Sequence, residues 1–222
     1  MRTLYHLWLS PFSRKVRLVL DEKGLEYDMK VEREWERREE FLALNPAGKV
    51  PVLVEEDGTV LADSNAICEY LEDVHPSPTL IGGTPYERAE IRRIVAWFDG
   101  KFDREVSDNL LYEKVMKRFL GLGAPDSEAI RAGSANLRTH LDYIAYLTVE
   151  RNYLAGDEFS LADIAAAAQI SAIDYIGDVP WKAYEGAKDW YARVKSRPSF
   201  RPILGDHIPG LPPPSYYADL DF

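Results

Sequence analysis

A small α/β domain followed by an all-α domain and an extended tail is the architecture this 222-residue chain predicts. Three observations carry that expectation. Residues 48–71 pack a proline-led apolar run, an Asp-Gly turn, a return run and a capped helix into one short stretch. Beyond the Pro- and Gly-rich residues 75–85 the hydrophobic period changes from two to 3.6. Near the end Pro209, Pro212, Pro213 and Pro214 forbid a helix and favour an extended arm. The expected boundaries are 1–76 for the α/β domain, 77–85 for a linker, 86–204 for the helical domain and 205–222 for the tail.

Residues 3–8 read as the first strand. Ser10 is an N-cap with Pro11 at the first helical position. Phe12, Val16, Val19 and Leu20 mark one face of a helix that ends at Gly24. Tyr27, Met29 and Val31 alternate with polar residues as the second strand. The charge-dense residues 32–40 form a loop or short helix leading to Phe41. Val52-Leu53-Val54 is a strand that tolerates Pro51 at its start, and Asp57-Gly58 turns it back into Thr59-Val60-Leu61. Ser64 is expected as the N-cap of a helix carrying Ile67, Tyr70, Leu71 and Val74. The order β-α-β-(α)-β-β-α is that of a thioredoxin-like domain, with one parallel strand pair and one antiparallel hairpin.

In the second domain Ile91, Ile94, Val95, Phe98 and Phe102 begin a long helical stripe with a kink expected at Gly100. Gly121 and Gly123 close it. Leu137, Leu141 and Ile144 mark the next helix. Ser160 to Asp163 is a capping box, stapled by Phe159 and Ile164, and Ala165 to Ala168 allow close packing. Ala187, Trp190, Tyr191 and Val194 define a last helix stopped near Pro198. The aromatic and acidic end of the tail suits docking better than disorder.

The net charge of −10 speaks against nucleic acid as a partner, because phosphate binding needs a basic surface. No apolar run is long enough to span a membrane, and the N-terminus lacks the features of a signal peptide. A cytoplasmic location is expected. The single cysteine, Cys68, excludes an internal disulfide and reads as a small helix residue. No zinc spacing, phosphate loop, dinucleotide fingerprint or nucleophile elbow occurs. His6, His75, His140 and His207 are scattered, and no metal is expected. Candidate chemistry is confined to Ser10-Pro11-Phe12-Ser13-Arg14-Lys15.

The order of elements and the wording of residues 48–71 resemble the glutathione-transferase family. The resemblance implies a cis bond at Val50-Pro51 and a glutathione site, vestigial or working, built from Ser10, Phe12, Val50, Pro51, Asp63 and Ser64. It implies that Ser10 or Ser13 would set the state of the glutathione sulfur, helped by the positive helix start. Both serines are also accounted for by capping alone.

Further blocks are more specific: Trp35-Glu36-Arg37-Arg38 before residues 41–46, then residues 95–102, 109–118, 188–200 and 217–222. Together they resemble, over essentially the whole chain, the FtsZ-binding division proteins of alphaproteobacteria, which have a glutathione-transferase-like fold. What this implies is a homodimer at the division site that binds polymers of the tubulin-like GTPase FtsZ and shapes them during constriction. It implies no working enzyme and no cofactor, with glutathione binding left open but not favoured. Trp35, Glu113 and Asp219 are the implied partner contacts, around the inter-domain groove. Phe222 joins them on chemical grounds. Tryptophan is enriched at interface hot spots, although Trp35 packed on its own loop and Glu113 as a solvated helix charge remain open. Asp219 and Asp221 would pair with basic groups of the partner or of the chain itself. The alternative function is a serine-type glutathione transferase that conjugates glutathione to electrophiles. A glutathione-dependent reductase is weaker, because Ser13 stands where such enzymes use cysteine.

Overall fold

In the structure, a computed structural model that describes residues 1–220 and 222, the first strand is β1 (Arg2–His6). It ends earlier than expected because the chain turns at Leu7, whose carbonyl accepts from the Ser10 N–H at 3.2 Å. Helix α1 (Pro11–Glu22) then starts as its sequence dictates, with the Ser10 hydroxyl accepting from the Ser13 N–H at 3.2 Å. Gly24 at φ 64° stops it, a conformation that carries no Cβ penalty in glycine. Strand β2 (Tyr27–Val31) pairs parallel with β1. Strands β3 (Val52–Val54) and β4 (Val60–Ala62) form the antiparallel hairpin, and the sheet order is β2-β1-β3-β4. As the edge strand β2 leaves Met29 and Val31 exposed, so its alternation does not mark a buried face.

The charge-dense segment resolves into a 3₁₀ turn at Glu34–Glu36 and a short helix, α2 (Glu39–Leu44), that buries Phe41. Helix α3 (Ser64–Val74) corrects one expectation. Its N-cap is Asp63 at φ 72°, whose carboxylate accepts from the N–H groups of Asn65 at 2.8 Å and Ala66 at 3.2 Å. Ser64 is the first helical residue and is buried. A carboxylate is the better acceptor at the positive end of a helix, and aspartate also tolerates positive φ. The stripe buries Ile67, Cys68 and Leu71, while Val74 is exposed.

In the second half, Thr84 and Glu87 cap α4 (Pro85–Ala96) reciprocally. The helix continues through a π-helical stretch (Trp97–Ser107), α5 (Asp108–Leu111), a second π stretch (Tyr112–Met116) and α6 (Lys117–Leu120) to Gly121 at φ 65°. The irregularity expected at Gly100 is thus a widened turn spread over eleven residues rather than a glycine hinge. Helix α7 (Ser127–Leu147) packs beside it. Helix α8 (Leu161–Tyr175), held by the Ser160–Asp163 capping box, is buried on every side. A helix with no polar face belongs at the centre of a fold. Its run of alanines lets α1 and α4 approach closely, and one continuous core joins both halves of the chain. Helices α9 (Glu185–Lys195) and α10 (Arg201–Leu204) complete the bundle. The tail is docked on it: Tyr217 is fully buried, and the Tyr175 hydroxyl accepts from the Ile208 N–H and donates to the Leu211 carbonyl, both at 2.9 Å.

Candidate functional site

Three elements meet where α1 begins. Lys15, one turn into α1, donates to Asn65 Oδ1 of α3 at 2.9 Å and pairs with Asp99 of the first π stretch. Its ammonium also lies 5.9 Å from the Phe12 ring. Ser10 is half-buried and caps the helix, whereas Ser13 is fully buried and accepts from the Leu7 N–H at 3.4 Å. The π stretch and the first residue of α5 contribute three carboxylates. Burial pushes Asp99 above the usual carboxylate range despite Lys15, and raises Asp103, which accepts from Gln169 at 3.3 Å, to about 6. Asp108, also raised by burial, lies within electrostatic reach of Lys49.

Val50-Pro51 is cis, and the Val50 N–H is already engaged. It donates to Glu34 Oε1 at 2.6 Å, while Glu34 Oε2 accepts from Lys49 Nζ at 3.2 Å. A carboxylate from the chain's own 3₁₀ turn therefore takes the two donors beside the cis bond. The turn is braced from below by the buried Glu32, which pairs with Arg38. With Glu34 directed inward, the next residue, Trp35, is left exposed.

The remaining candidates sit on other elements. Glu113, in the second π stretch, is buried: it accepts from the Asp126 N–H at 2.6 Å and pairs with Lys117 at 2.6 Å. Those two bonds, the backbone one first, hold its carboxyl below the usual range. It fastens the loop between α6 and α7, so it is not a solvated helix charge. Asp219 is exposed, and its carbonyl accepts from Lys195 at 2.5 Å. Phe222 packs edge-on against Trp181 at 5.1 Å and lies 3.9 Å from Lys195 Nζ. Asp221 lies outside the described residues. Cys68 is buried, and burial pushes its thiol up to about 12, far from a reactive thiolate.

A buried ionic cluster joins α1 to the start of the tail. Asp206 Oδ2 accepts from Arg14 at 3.1 Å and from Arg17 at 2.8 Å, and Oδ1 accepts from Arg17 at 2.8 Å. Arg14 further donates to Ser171 Oγ at 2.9 Å and the Tyr217 hydroxyl at 3.2 Å. Sequence reasoning missed Glu34, Lys195 and this cluster. None of the three left a sequence signal: Arg14 and Arg17 lie on the side of α1 opposite Phe12, Val16, Val19 and Leu20, where a solvent-facing cation is the ordinary reading.

A family model for the glutathione S-transferase N-terminal domain matches residues 9–74, and one for its C-terminal domain matches residues 127–193. The chain is 53% identical to FtsZ-localized protein A of Caulobacter vibrioides, over 100% of this chain and 98% of that protein. The solved structure of FzlA from C. crescentus superposes with a TM-score of 0.97 at 53% identity, covering 100% of this chain and 99% of that one. A solved structure described as a glutathione S-transferase from Rhodospirillum rubrum F11 matches at 58% identity and a TM-score of 0.98, over 100% of both chains. With both halves of the fold matched in order along one chain, the protein belongs to the glutathione S-transferase family.

Proposed function

We propose that this chain is a non-enzymatic division protein that binds FtsZ polymers as a homodimer and shapes them at the division site during constriction. The observation that carries the reading is its full-length likeness to FtsZ-localized protein A. The Glu34 contact supports it from the site itself. A thiol tripeptide entering beside Val50 would have to displace a carboxylate already bonded to the Val50 N–H and Lys49. The bond to the Val50 N–H is worth roughly 1.5–3 kcal/mol, and the Lys49 pair, with the lysine side chain 73% exposed, adds under about 1 kcal/mol.

Trp35, exposed beside that site, and Asp219, exposed on the tail, are the contacts this reading favours. Glu113 acts by holding its loop, and Phe222 by holding the tail. Two-fold pairing is the commonest oligomeric arrangement. Co-sedimentation with GTP-assembled FtsZ, with electron microscopy of filament shape, tests the reading: absence from the pellet at micromolar protein rejects it.

The second reading, a serine-type transferase, is favoured by the half-buried Ser10 hydroxyl at the α1 start and by the relative from Rhodospirillum rubrum. Calorimetry with millimolar glutathione and a chloronitrobenzene conjugation assay decide it. Saturable binding and turnover lost in Ser10→Ala would establish it over the first.

A further inference from the structure

The last turn of α9 ends on a lysine that is fully buried. Its ammonium has the Phe222 ring at 3.9 Å, with the Tyr191 and Tyr217 rings each at 5.9 Å, and it donates to the Asp219 carbonyl at 2.5 Å. Two of those rings and the carbonyl belong to the tail. A lysine buried this deeply needs partners to stay charged, and the tail supplies most of them. The tail gains in return, because residues 218–220 are exposed and bury little apolar surface of their own. Among the described residues its backbone contacts there include the turn bonds from the Tyr217 N–H to the Pro214 carbonyl and from the Asp219 N–H to the Tyr216 carbonyl, both 3.0 Å.

We infer that Lys195 is the positioning residue of the tail: clasped between tail rings and the Asp219 carbonyl, its ammonium holds the acidic end on the helical bundle in the pose that meets an FtsZ polymer. The filament half of this inference rests on the functional reading above, and the clasp itself does not. Desolvation lowers the Lys195 ammonium to about 8, with Asp174 of α8 and Asp219 of the tail opposing, as expected of a cation enclosed by rings. Cation–π attraction strengthens when the cation is desolvated. The Asp206 cluster fixes where the tail begins; Lys195 fixes where it ends.

The test compares the full chain with Lys195→Met, Phe222→Ala and the double variant. Hydrogen exchange is read at the Tyr217 and Asp219 amides without FtsZ, and pelleting is read with GTP-assembled FtsZ. Lys195→Met should speed exchange at those two amides about tenfold while leaving the α8 amides unchanged. It should also weaken pelleting at least fivefold, the unchanged α8 amides excluding a general loss of stability as the cause. Phe222→Ala removes one wall of the clasp from the far end of the tail and should reproduce both effects, and the double variant should add little to either single one. Unchanged tail exchange in both single variants overturns the clasp. Faster exchange with unchanged pelleting overturns the link to the filament. Absence of the unaltered chain from the pellet overturns the functional reading and that link together, whatever the exchange shows.

Discussion

Replacing Asp206 by asparagine removes the one carboxylate shared by two buried guanidiniums. Arg14 would keep the Trp8 carbonyl at 2.8 Å, Ser171 and Tyr217. Among the described residues Arg17 would keep the Pro202 carbonyl at 3.4 Å and the Trp8 ring at 5.4 Å, because both of its short bonds go to Asp206. The side chains of all three residues are at most 1% exposed, so water cannot substitute without local opening. Breaking a buried ion pair by removing one partner costs about 3–5 kcal/mol. Asparagine also turns an N–H donor toward donors, which argues for the upper half of that range. A chain of this length then loses on the order of 10 °C in Tm. Urea denaturation followed by circular dichroism gives the difference directly. The exposed Arg33–Glu36 pair, with side chains 63% and 43% exposed, is the control: Arg33→Gln should cost under about 0.5 kcal/mol. A loss below 1 kcal/mol for Asp206→Asn would refute the view that this cluster locks the tail to α1.

Glu34→Ala should free the Val50 N–H and Lys49, so calorimetry should show glutathione binding at least tenfold tighter than to the unaltered chain. It should also release the Trp35 turn and weaken pelleting with FtsZ. Trp35→Ala should weaken pelleting at least tenfold, the scale of an interface hot spot, while the α8 amides keep their exchange protection, because the partly covered Trp35 lies at 37% exposure outside the core. His6 is buried, and burial lowers it to about 4 from the usual 6.5. Its folded pKa lies below the unfolded one, so its contribution is complete above pH 6.5 and is lost as pH falls toward 4. His6→Leu should therefore flatten the stability profile over that window by about 3 kcal/mol at most, read from urea midpoints at pH 7 and pH 4.5.

Most of the fold was legible because local chemistry and long-range packing agree. Pro11, Gly24, Asp57-Gly58 and the Ser160–Asp163 box each fix a backbone state whatever surrounds them. The α3 cap is one residue earlier than expected: serine is a good N-cap, but only the folded turn shows the Asp63 carboxylate accepting from the Asn65 and Ala66 N–H groups. Of the candidate site, Ser10, Val50-Pro51 and Lys15 were visible as a motif. Glu34 was not, being one of several glutamates in a charged segment with nothing to mark which would turn inward. Lys195 was hidden for the opposite reason. A lysine in a last helical turn is expected to face solvent near the helix dipole, and only tertiary packing places three rings around this one.

The central claim is that a scaffold shaped for a thiol tripeptide now meets a cytoskeletal polymer. Sedimentation of the purified chain with FtsZ, with and without GTP, alongside glutathione conjugation on the same preparation, tests it most directly. The account predicts GTP-dependent appearance in the pellet and no conjugation above the uncatalysed rate. Brisk conjugation with all of the chain left in the supernatant would contradict it.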